Sequence, residues 1–276
     1  MPGSPLAQDG YLVIRGLLDG AQLVAVRREV DVAVQAPAVP GCERPHNRLV
    51  PLRWNDAAVD LVLGDARCRR ALATCTGGDD LRWISAYISV KEPRTPALWW
   101  HQDWWCWSHP VTLRAAAPQV AVLAYLTPTR PRTGALRVLP RSHLSSLPLH
   151  AKLPQAYAKG AELASDHAAL GDQPGQVTLA VEAGDAVVLD YRLLHGTHPN
   201  ASALRRDCLL LSFAPSWAGL PIDVRAHLIR HPSLPAVHEH APPGSWRDEL
   251  VPAFAGVPAD LDLDRVAPGE FAVRHI

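Results

Sequence analysis

No stretch of this chain approaches the roughly 18 consecutive apolar residues of a membrane-spanning helix, which argues against one. The 27 basic and 27 acidic residues cancel, so there is no electrostatic footprint for nucleic acid or an anionic membrane. Met1–Asp9 has neither a basic start nor an adequate apolar run, and a secretory signal is not expected there. Cysteine is sparse. Cys42, Cys68, Cys75, Cys106 and Cys208 are odd in number and lack a Cys-x-x-Cys spacing. They are expected as reduced thiols of a cytoplasmic protein, not as a disulfide frame or zinc site. Lysine is scarce beside alanine, arginine and proline, as in chains from GC-rich bacterial genomes. No repeat, linker or low-complexity segment divides the sequence, and one domain over residues 1–276 is expected.

Proline is plentiful at 26 residues, which favours many short elements joined by turns. Residues 10–16 read as a first strand. Asp19 reads as the cap of a helix with Leu23, Val26, Val30 and Val34 at near-helical spacing. Residues 37–51 read as a loop carrying His46, residues 55–72 as one helix and 77–80 as a turn. Strands are then expected over 81–90, 96–101, 119–126, 135–139 and 206–213, with 177–181 and 186–190 forming a hairpin. Residues 145–176 lack a clear period and are expected as a lid or insertion with a helix around 162–170. The tail from residue 215 reads as irregular. Helices followed by about eight short strands predict a mainly β fold, a barrel or double-sheet jelly roll with flanking N-terminal helices.

The chemistry concentrates in Trp99-Trp100-His101-Gln102-Asp103-Trp104-Trp105-Cys106-Trp107. On an extended backbone residues i and i+2 share a face, so His101 and Asp103 can converge on one metal ion. With a second, distant histidine such a pair makes the 2-His-1-carboxylate arrangement that holds Fe(II) and leaves positions open. Alone, His-x-Asp is weak, since thirteen histidines generate such pairs by chance. A second constellation strengthens it: Gly184-Asp185, an apolar strand, His195-Gly196-Thr197, and Arg206 eleven residues past His195. An arginine there suits a cosubstrate that chelates metal at one end and carries a carboxylate at the other. His198 competes with His195, and Arg205 with Arg206; the spacing favours His195 and Arg206.

These residues, together with Asp9-Gly10-Tyr11, the run Gly134–His143, Asn200 and Ser202, resemble the phytanoyl-CoA dioxygenase family of Fe(II)/2-oxoglutarate oxygenases from residue 9 to about 215. The resemblance implies a double-stranded β-helix core with iron on His101, Asp103 and His195, and 2-oxoglutarate held through Arg206. It further implies that Thr197, Gln102 and Lys91 line the cosubstrate pocket. One departure is Pro140-Arg141-Ser142-His143, where the family often has glycine after the proline, so the turn lacks its permissive residue.

The resemblance implies hydroxylation of a small molecule, such as an amino acid or natural-product intermediate, with O2 as oxidant and 2-oxoglutarate converted to succinate. Halogenation usually needs glycine or alanine in the carboxylate place, and Asp103 disfavours it. A metal-dependent hydrolase or a non-catalytic jelly-roll binding protein has no need of a buried arginine at position 206. The tryptophans read as core or as walls of a partly apolar substrate pocket, with Trp99, Trp105 and Trp107 the candidates for contact. Cys106 has no basic neighbour that would make it a nucleophile. Substrate identity and oligomeric state are not legible.

Overall fold

The computed structural model describes residues 4–37, 43–44 (backbone alone), 47–77, 80–153, 163–164, 166–236, 239 and 243–274. Helix α1 (Pro5–Asp9) and strand β1 (Tyr11–Ile14) lead into α2 (Gly20–Ala33). Asp19 caps α2 as the sequence predicts: its carboxylate accepts from Gln22 N at 2.9 Å, and the Gln22 side chain accepts from Asp19 N. Such reciprocal capping satisfies two of the orphan donors at a helix start. Strands β2 (Glu43–Arg44) and β3 (Asn47–Leu52) follow, then α3 (Ala57–Leu63), α4 (Ala66–Thr76), β4 (Arg82–Lys91), β5 (Leu98–His101), β6 (Val120–Tyr125) and β7 (Leu136–Val138). The chain continues through β8 (Val177–Leu179), β9 (Ala186–Asp190), β10 (His195–Thr197) and β11 (Arg206–Ala214) to α5 (Ile222–Leu228) and α6 (Trp246–Leu250).

The strands form a seven-stranded sheet, β1-β9-β6-β11-β4-β3-β2, and a four-stranded sheet, β5-β10-β7-β8. The pairings within both are antiparallel. This is the expected jelly roll. Alternation divides the large sheet into two faces. Ala86, Ile88, Val90, Val122, Val188, Leu209 and Leu211 pack outward with Val26, Val30, Val59, Val62 and Leu72 of the helices. Inward, Leu123, Tyr125, Val187 and Leu189 meet Leu136, Val138 and Leu179 of the small sheet. Full burial of such a side chain contributes roughly 1.5–3 kcal/mol. Elsewhere the inward face carries Ser85 and Tyr87 beside Leu49 and Leu210, and the cavity lies there.

Several expectations need correction. The helix over 55–72 is two helices, because Gly64 ends α3 and the Asp65 carboxylate caps α4 by accepting from Arg67 N at 2.6 Å. The loop over 37–51 contains β3; Pro51 is tolerated because β2 pairs only with the start of that strand, leaving Pro51 at an edge. His46 lies outside the described residues. Residues 177–181 and 186–190 are not a hairpin. β8 pairs with β7 in the small sheet and β9 with β1 and β6 in the large one, so the turn between them crosses from sheet to sheet. Of the helix expected at 162–170, residues 162 and 165 lie outside the described set, and residues 166–170 are mostly turn. Their carbonyls are taken elsewhere: Ala169 O accepts from Trp100 N and Leu170 O from the Arg137 guanidinium, both at 2.7 Å. The tail contains α5 and α6 in place of the irregular structure expected.

The turn at Pro140–His143 keeps a left-handed residue although glycine is missing. Arg141 adopts φ 68° and is exposed, while Ser142 Oγ accepts from Leu194 N at 2.8 Å and ties the turn to the residue before His195. A side chain in that region costs about 1–2 kcal/mol, partly offset in a glycine variant by the freer unfolded chain. Arg141→Gly is therefore expected to stabilise the protein by roughly 0.5–1 kcal/mol, read from the urea midpoint at unchanged slope. A loss of stability would show that Arg141 is not strained.

Candidate metal centre and adjoining cavity

β5 and β10 run side by side, and His195 stands directly opposite His101 in their register. The strands approach closely at Gly196, where a Cβ would lie 2.9 Å from Leu98 O and 3.1 Å from Trp99 O; only glycine fits without moving backbone. The imidazole centroids are 4.2 Å apart. His101 Nδ1 lies 2.9 Å from Trp99 O and His195 Nδ1 3.0 Å from Leu193 O. Since a carbonyl accepts, both Nδ1 atoms carry hydrogen and both Nε2 atoms present lone pairs, the usual second contact of a metal-binding histidine. The Asp103 carboxylate lies 3.8 Å from His101 Nε2 and 3.5 Å from His195 Nε2. The three side chains offer ligand atoms all within 4.8 Å of one another. They are a donor set that could hold one divalent cation.

Asp103 is positioned from below. Tyr191 O accepts from Asp103 N at 3.0 Å and from Trp104 N at 2.8 Å. The following residue, Arg192, is fully buried against Asp190, with contacts at 2.6 and 3.0 Å, and also donates to Thr112 O and Arg114 O. The pair fixes the β9 exit that carries the chain to His195. Gln102, expected in the cosubstrate pocket, donates its amide to Arg192 O and lies 3.2 Å from His150 Nε2. That engagement braces the loop.

Arg206 opens β11 opposite Lys91 of β4. It is buried, and its Nε and one terminal nitrogen have no hydrogen-bond partner. Its guanidinium carbon lies 5.7 Å from the centroid of Tyr125, whose buried hydroxyl also lacks a partner. Buried donors of this kind are costly unless something binds them, and a carboxylate fits a guanidinium fork. Arg205 faces the other way, to Asp207 and Asp31, as strand alternation requires. Lys91 Nζ donates to Pro96 O at 2.7 Å. Burial, then the charges of Arg206 and Arg137, push its pKa down to about 7. Thr197 Oγ1 accepts from Leu98 N at 3.4 Å. His198 pairs with Thr178 Oγ1 at 2.8 Å, away from Asp103.

A cavity of about 480 Å³ opens beside Asp103 and Trp105. Its floor is the inward face of the large sheet, with Ser85, Tyr87, Gln119, Leu49 and Leu210. Its far wall comes from the tail: His227, Arg230, His231, Asp260 and Arg265. Trp105 is fixed there, donating to Gln119 Oε1 at 2.9 Å and stacking on His227 at 4.5 Å. Trp99 instead packs with Leu98 and Ala169, and Trp107 against Phe271 at 4.9 Å. The cavity is partly apolar as the sequence predicts, with Leu49, Leu210, Leu228 and Leu263 among its lining, but Trp105 is the one tryptophan among the described residues that lines it. Sequence reasoning missed Tyr125, Tyr87 and the tail residues. The alternation Ser85, Tyr87, Ser89, Lys91 within an apolar strand was a readable signal for the floor; the tail carried none.

Fold and donor set together define a jelly-roll protein with a His-x-Asp…His centre and a buried arginine behind it. The family model "Phytanoyl-CoA dioxygenase (PhyH)" matches residues 6–208, and the chain belongs to that family. A probable alpha-ketoglutarate-dependent hypophosphite dioxygenase of Stutzerimonas stutzeri is 27% identical over 142 residues, 51% of this chain. That match covers about half of the relative, 48% of its length. Among solved structures, HygX from Streptomyces hygroscopicus with nickel and 2-oxoglutarate bound shares 20% identity at TM-score 0.58, over 76% of this chain and 84% of that one. EctD from S. alaskensis with 2-oxoglutarate and 5-hydroxyectoine shares 17% identity at TM-score 0.55, over 79% of each chain. At these identities the structures establish the fold.

The cavity wall has a pH signature. His231 lies 3.1 Å from the Tyr87 hydroxyl, and burial, then the charge of His227, push its pKa from 6.5 down to about 4. Between those values the unfolded chain holds a proton that the folded one excludes, so stability falls as pH drops through that window, by up to about 3 kcal/mol. Urea unfolding at about pH 7 and about pH 5 should show wild type losing more stability than His231→Gln. Equal losses would mean that this histidine titrates normally.

Proposed function

We propose that the protein is an Fe(II)- and 2-oxoglutarate-dependent dioxygenase that oxidises, by default hydroxylates, a C–H bond of a small molecule. The carrying observation is the conjunction of the His101–Asp103–His195 donor set with the unpartnered nitrogens of buried Arg206. His101 and His195 would give Nε2 and Asp103 a carboxylate oxygen to the iron, which leaves positions open. Iron bound there supplies O2 activation coupled to decarboxylation of 2-oxoglutarate. Arg206 takes the distal carboxylate of the cosubstrate, helped by the Tyr125 hydroxyl, while Lys91 and Thr197 line the same end. Trp105 walls the substrate side, excluding water and limiting substrate motion.

The relatives support this reading. HygX is seen with nickel and 2-oxoglutarate, and EctD with 2-oxoglutarate and 5-hydroxyectoine. Asp103 disfavours halogenation, and Arg206 disfavours a hydrolase or plain binding protein. Free Cys68, Cys75, Cys106 and Cys208 accord with a reducing, cytoplasmic location. None of the helices is long and apolar enough to cross a membrane, among the described residues.

Asp103→Ala or His101→Ala is expected to abolish Fe(II) binding and succinate formation; full turnover by either in metal-controlled assays would overturn the assignment. Arg206→Ala should raise the apparent KM for 2-oxoglutarate by tens- to several-hundredfold, about 2–4 kcal/mol. Arg206→Lys should recover part of this, because a point charge cannot reproduce the fork. A large effect from Arg205→Ala instead would reverse the facing of β11. Trp105→Ala should keep metal and 2-oxoglutarate binding yet form more succinate per molecule of product, whereas Trp99→Ala and Trp107→Ala should not uncouple. Tight coupling in Trp105→Ala would remove that residue from the substrate wall.

A further inference from the structure

One short stretch of the tail fastens both a histidine of α5 and the tryptophan two residues past Asp103. Leu261 N donates to His227 Nδ1 at 3.1 Å, and Asp264 N donates to Trp105 O at 2.9 Å. The two rings held in this way stack on each other, with centroids 4.5 Å apart and planes 30° apart. Trp105 is tied in turn to Gln119 Oε1 through its indole N–H at 2.9 Å. His227 is thus held in its plane by an amide and on its face by an indole, which sets the direction of its remaining edge.

An amide can donate only to a bare ring nitrogen, so Nδ1 accepts and the hydrogen of the neutral ring sits on Nε2. Burial pushes the His227 pKa below its ordinary 6.5, which keeps the ring neutral. The Asp260 carboxylate lies 3.7 Å from Nδ1, beyond hydrogen-bond reach, and is taken by Arg230 at 2.6 Å. The other charges acting on the ring, Arg230 and Arg265, are donors and cannot accept its hydrogen. Among the described residues the Nε2–H therefore meets no acceptor, and the ring lines the cavity that Asp103 also lines. A histidine at a cavity edge is commonly no more than solvated. Here the strap and the stack that aim the donor also hold Trp105, so the Nε2–H stands at a set offset from the metal donor set. Such fixed placement is what a substrate-orienting group needs.

We propose that His227 determines substrate specificity in this dioxygenase, its Nε2–H donating to an uncharged oxygen acceptor of the substrate, a carbonyl foremost. The inference rests on the dioxygenase reading above, which makes this cavity the substrate site. The apolar part of the molecule lies against Trp105, Leu210, Leu228 and Leu263, and the bond to be oxidised faces Asp103. An uncharged acceptor fits because the ring is neutral and Arg230 is already compensated by Asp260. A molecule of the same shape without the acceptor covers the donor and leaves it unsatisfied, and is rejected on that account.

The test uses the full chain, isotope-labelled at the histidine nitrogens and loaded with 2-oxoglutarate and Zn(II), a diamagnetic stand-in for iron. Long-range proton–nitrogen NMR spectra, assigned by the signal lost in His227→Phe, should show Nδ1 bare and Nε2 protonated at about pH 7. The probes are acetophenone and α-methylstyrene, which carry a carbonyl oxygen and a methylene at the same place. Acetophenone should shift the Nε2 resonance and bind about three- to tenfold more tightly, the worth of one neutral hydrogen bond. That advantage should vanish in His227→Phe, which keeps a ring on Trp105. It should return in part in His227→Gln, whose side-chain amide donates from the same place, a rescue that a merely structural histidine would not show. Zn(II) and 2-oxoglutarate affinities should be unchanged in both variants. Hydrogen on Nδ1, equal binding of the two probes, or no shift of Nε2 by acetophenone at millimolar concentration would overturn the proposal and leave the dioxygenase reading intact. So would a preference that survives His227→Phe, or a loss of metal or cosubstrate affinity in both variants. Failure of Zn(II) and 2-oxoglutarate to bind the unaltered chain at all would overturn both.

Discussion

The cross-strand pairing of His195 with His101 is the contact on which the rest depends. Two histidines 94 positions apart in the chain meet because β5 and β10 are neighbours in a small sheet, with registers fixed to the residue. A slip of one residue would turn one imidazole to the opposite face. The register is guarded from several sides. Gly196 permits the close approach, Ser142 holds Leu194, and the buried Asp190–Arg192 pair holds the β9 exit. Breaking such a buried pair from one side typically costs about 3–5 kcal/mol, so the approach to His195 is stiff.

The large sheet divides its two faces between stability and chemistry. Its outer face is apolar and covered by α2, α3 and α4, where burial supplies the driving force. Part of its inner face is polar: Lys91, Ser89, Tyr87 and Ser85 on β4, with Arg206 and Ser212 on β11. That face would be poor core, and buried Arg206 with unpartnered nitrogens is its sharpest cost. Lys91 eases the charge crowding there through a pKa pulled down to about 7. An anion bound at this end satisfies the fork and offsets the repulsion, so ligand affinity and fold stability are linked at the start of β11.

Much of this was legible in sequence because it rests on local pattern. His-x-Asp on an extended segment and arginine eleven residues past a histidine are one-dimensional signals, and strand alternation separated Arg206 from Arg205. Short β-branched runs and turn residues pointed to a barrel or a double-sheet fold, and the family resemblance implied the latter. What was not legible depended on distant partners. The turn at 166–170 reads as helix until Trp100 and Arg137 claim its carbonyls. Residues 177–190 read as a hairpin because sequence alone cannot say that the turn crosses between sheets. The cluster Trp99–Trp107 looked like one wall, yet Trp99 packs under the 166–170 turn while Trp105 and Trp107 share a separate cluster, where they meet His227 and Phe271.

The tail was opaque for a related reason, and its position has a consequence. The family match ends at residue 208, whereas the cavity wall runs from His227 to Arg265. The His101–Asp103–His195 donor set and Arg206 therefore fall within the matched region, and the far wall of the cavity lies outside it. The addition is not loosely attached. Asp264 N donates to Trp105 O and Asp264 O accepts from Trp107 N, both at 2.9 Å, while Ala259 N and Leu261 N bond to Ala226 O and His227. Three of these four bonds join backbone to backbone and constrain the path of the segment but little of its side-chain identity, whereas the fourth ends on the His227 ring. The cavity residues at 227, 230, 260 and 265 stand on elements separate from β5 and β10, so under the proposed function substrate contacts and metal ligands come from different parts of the chain.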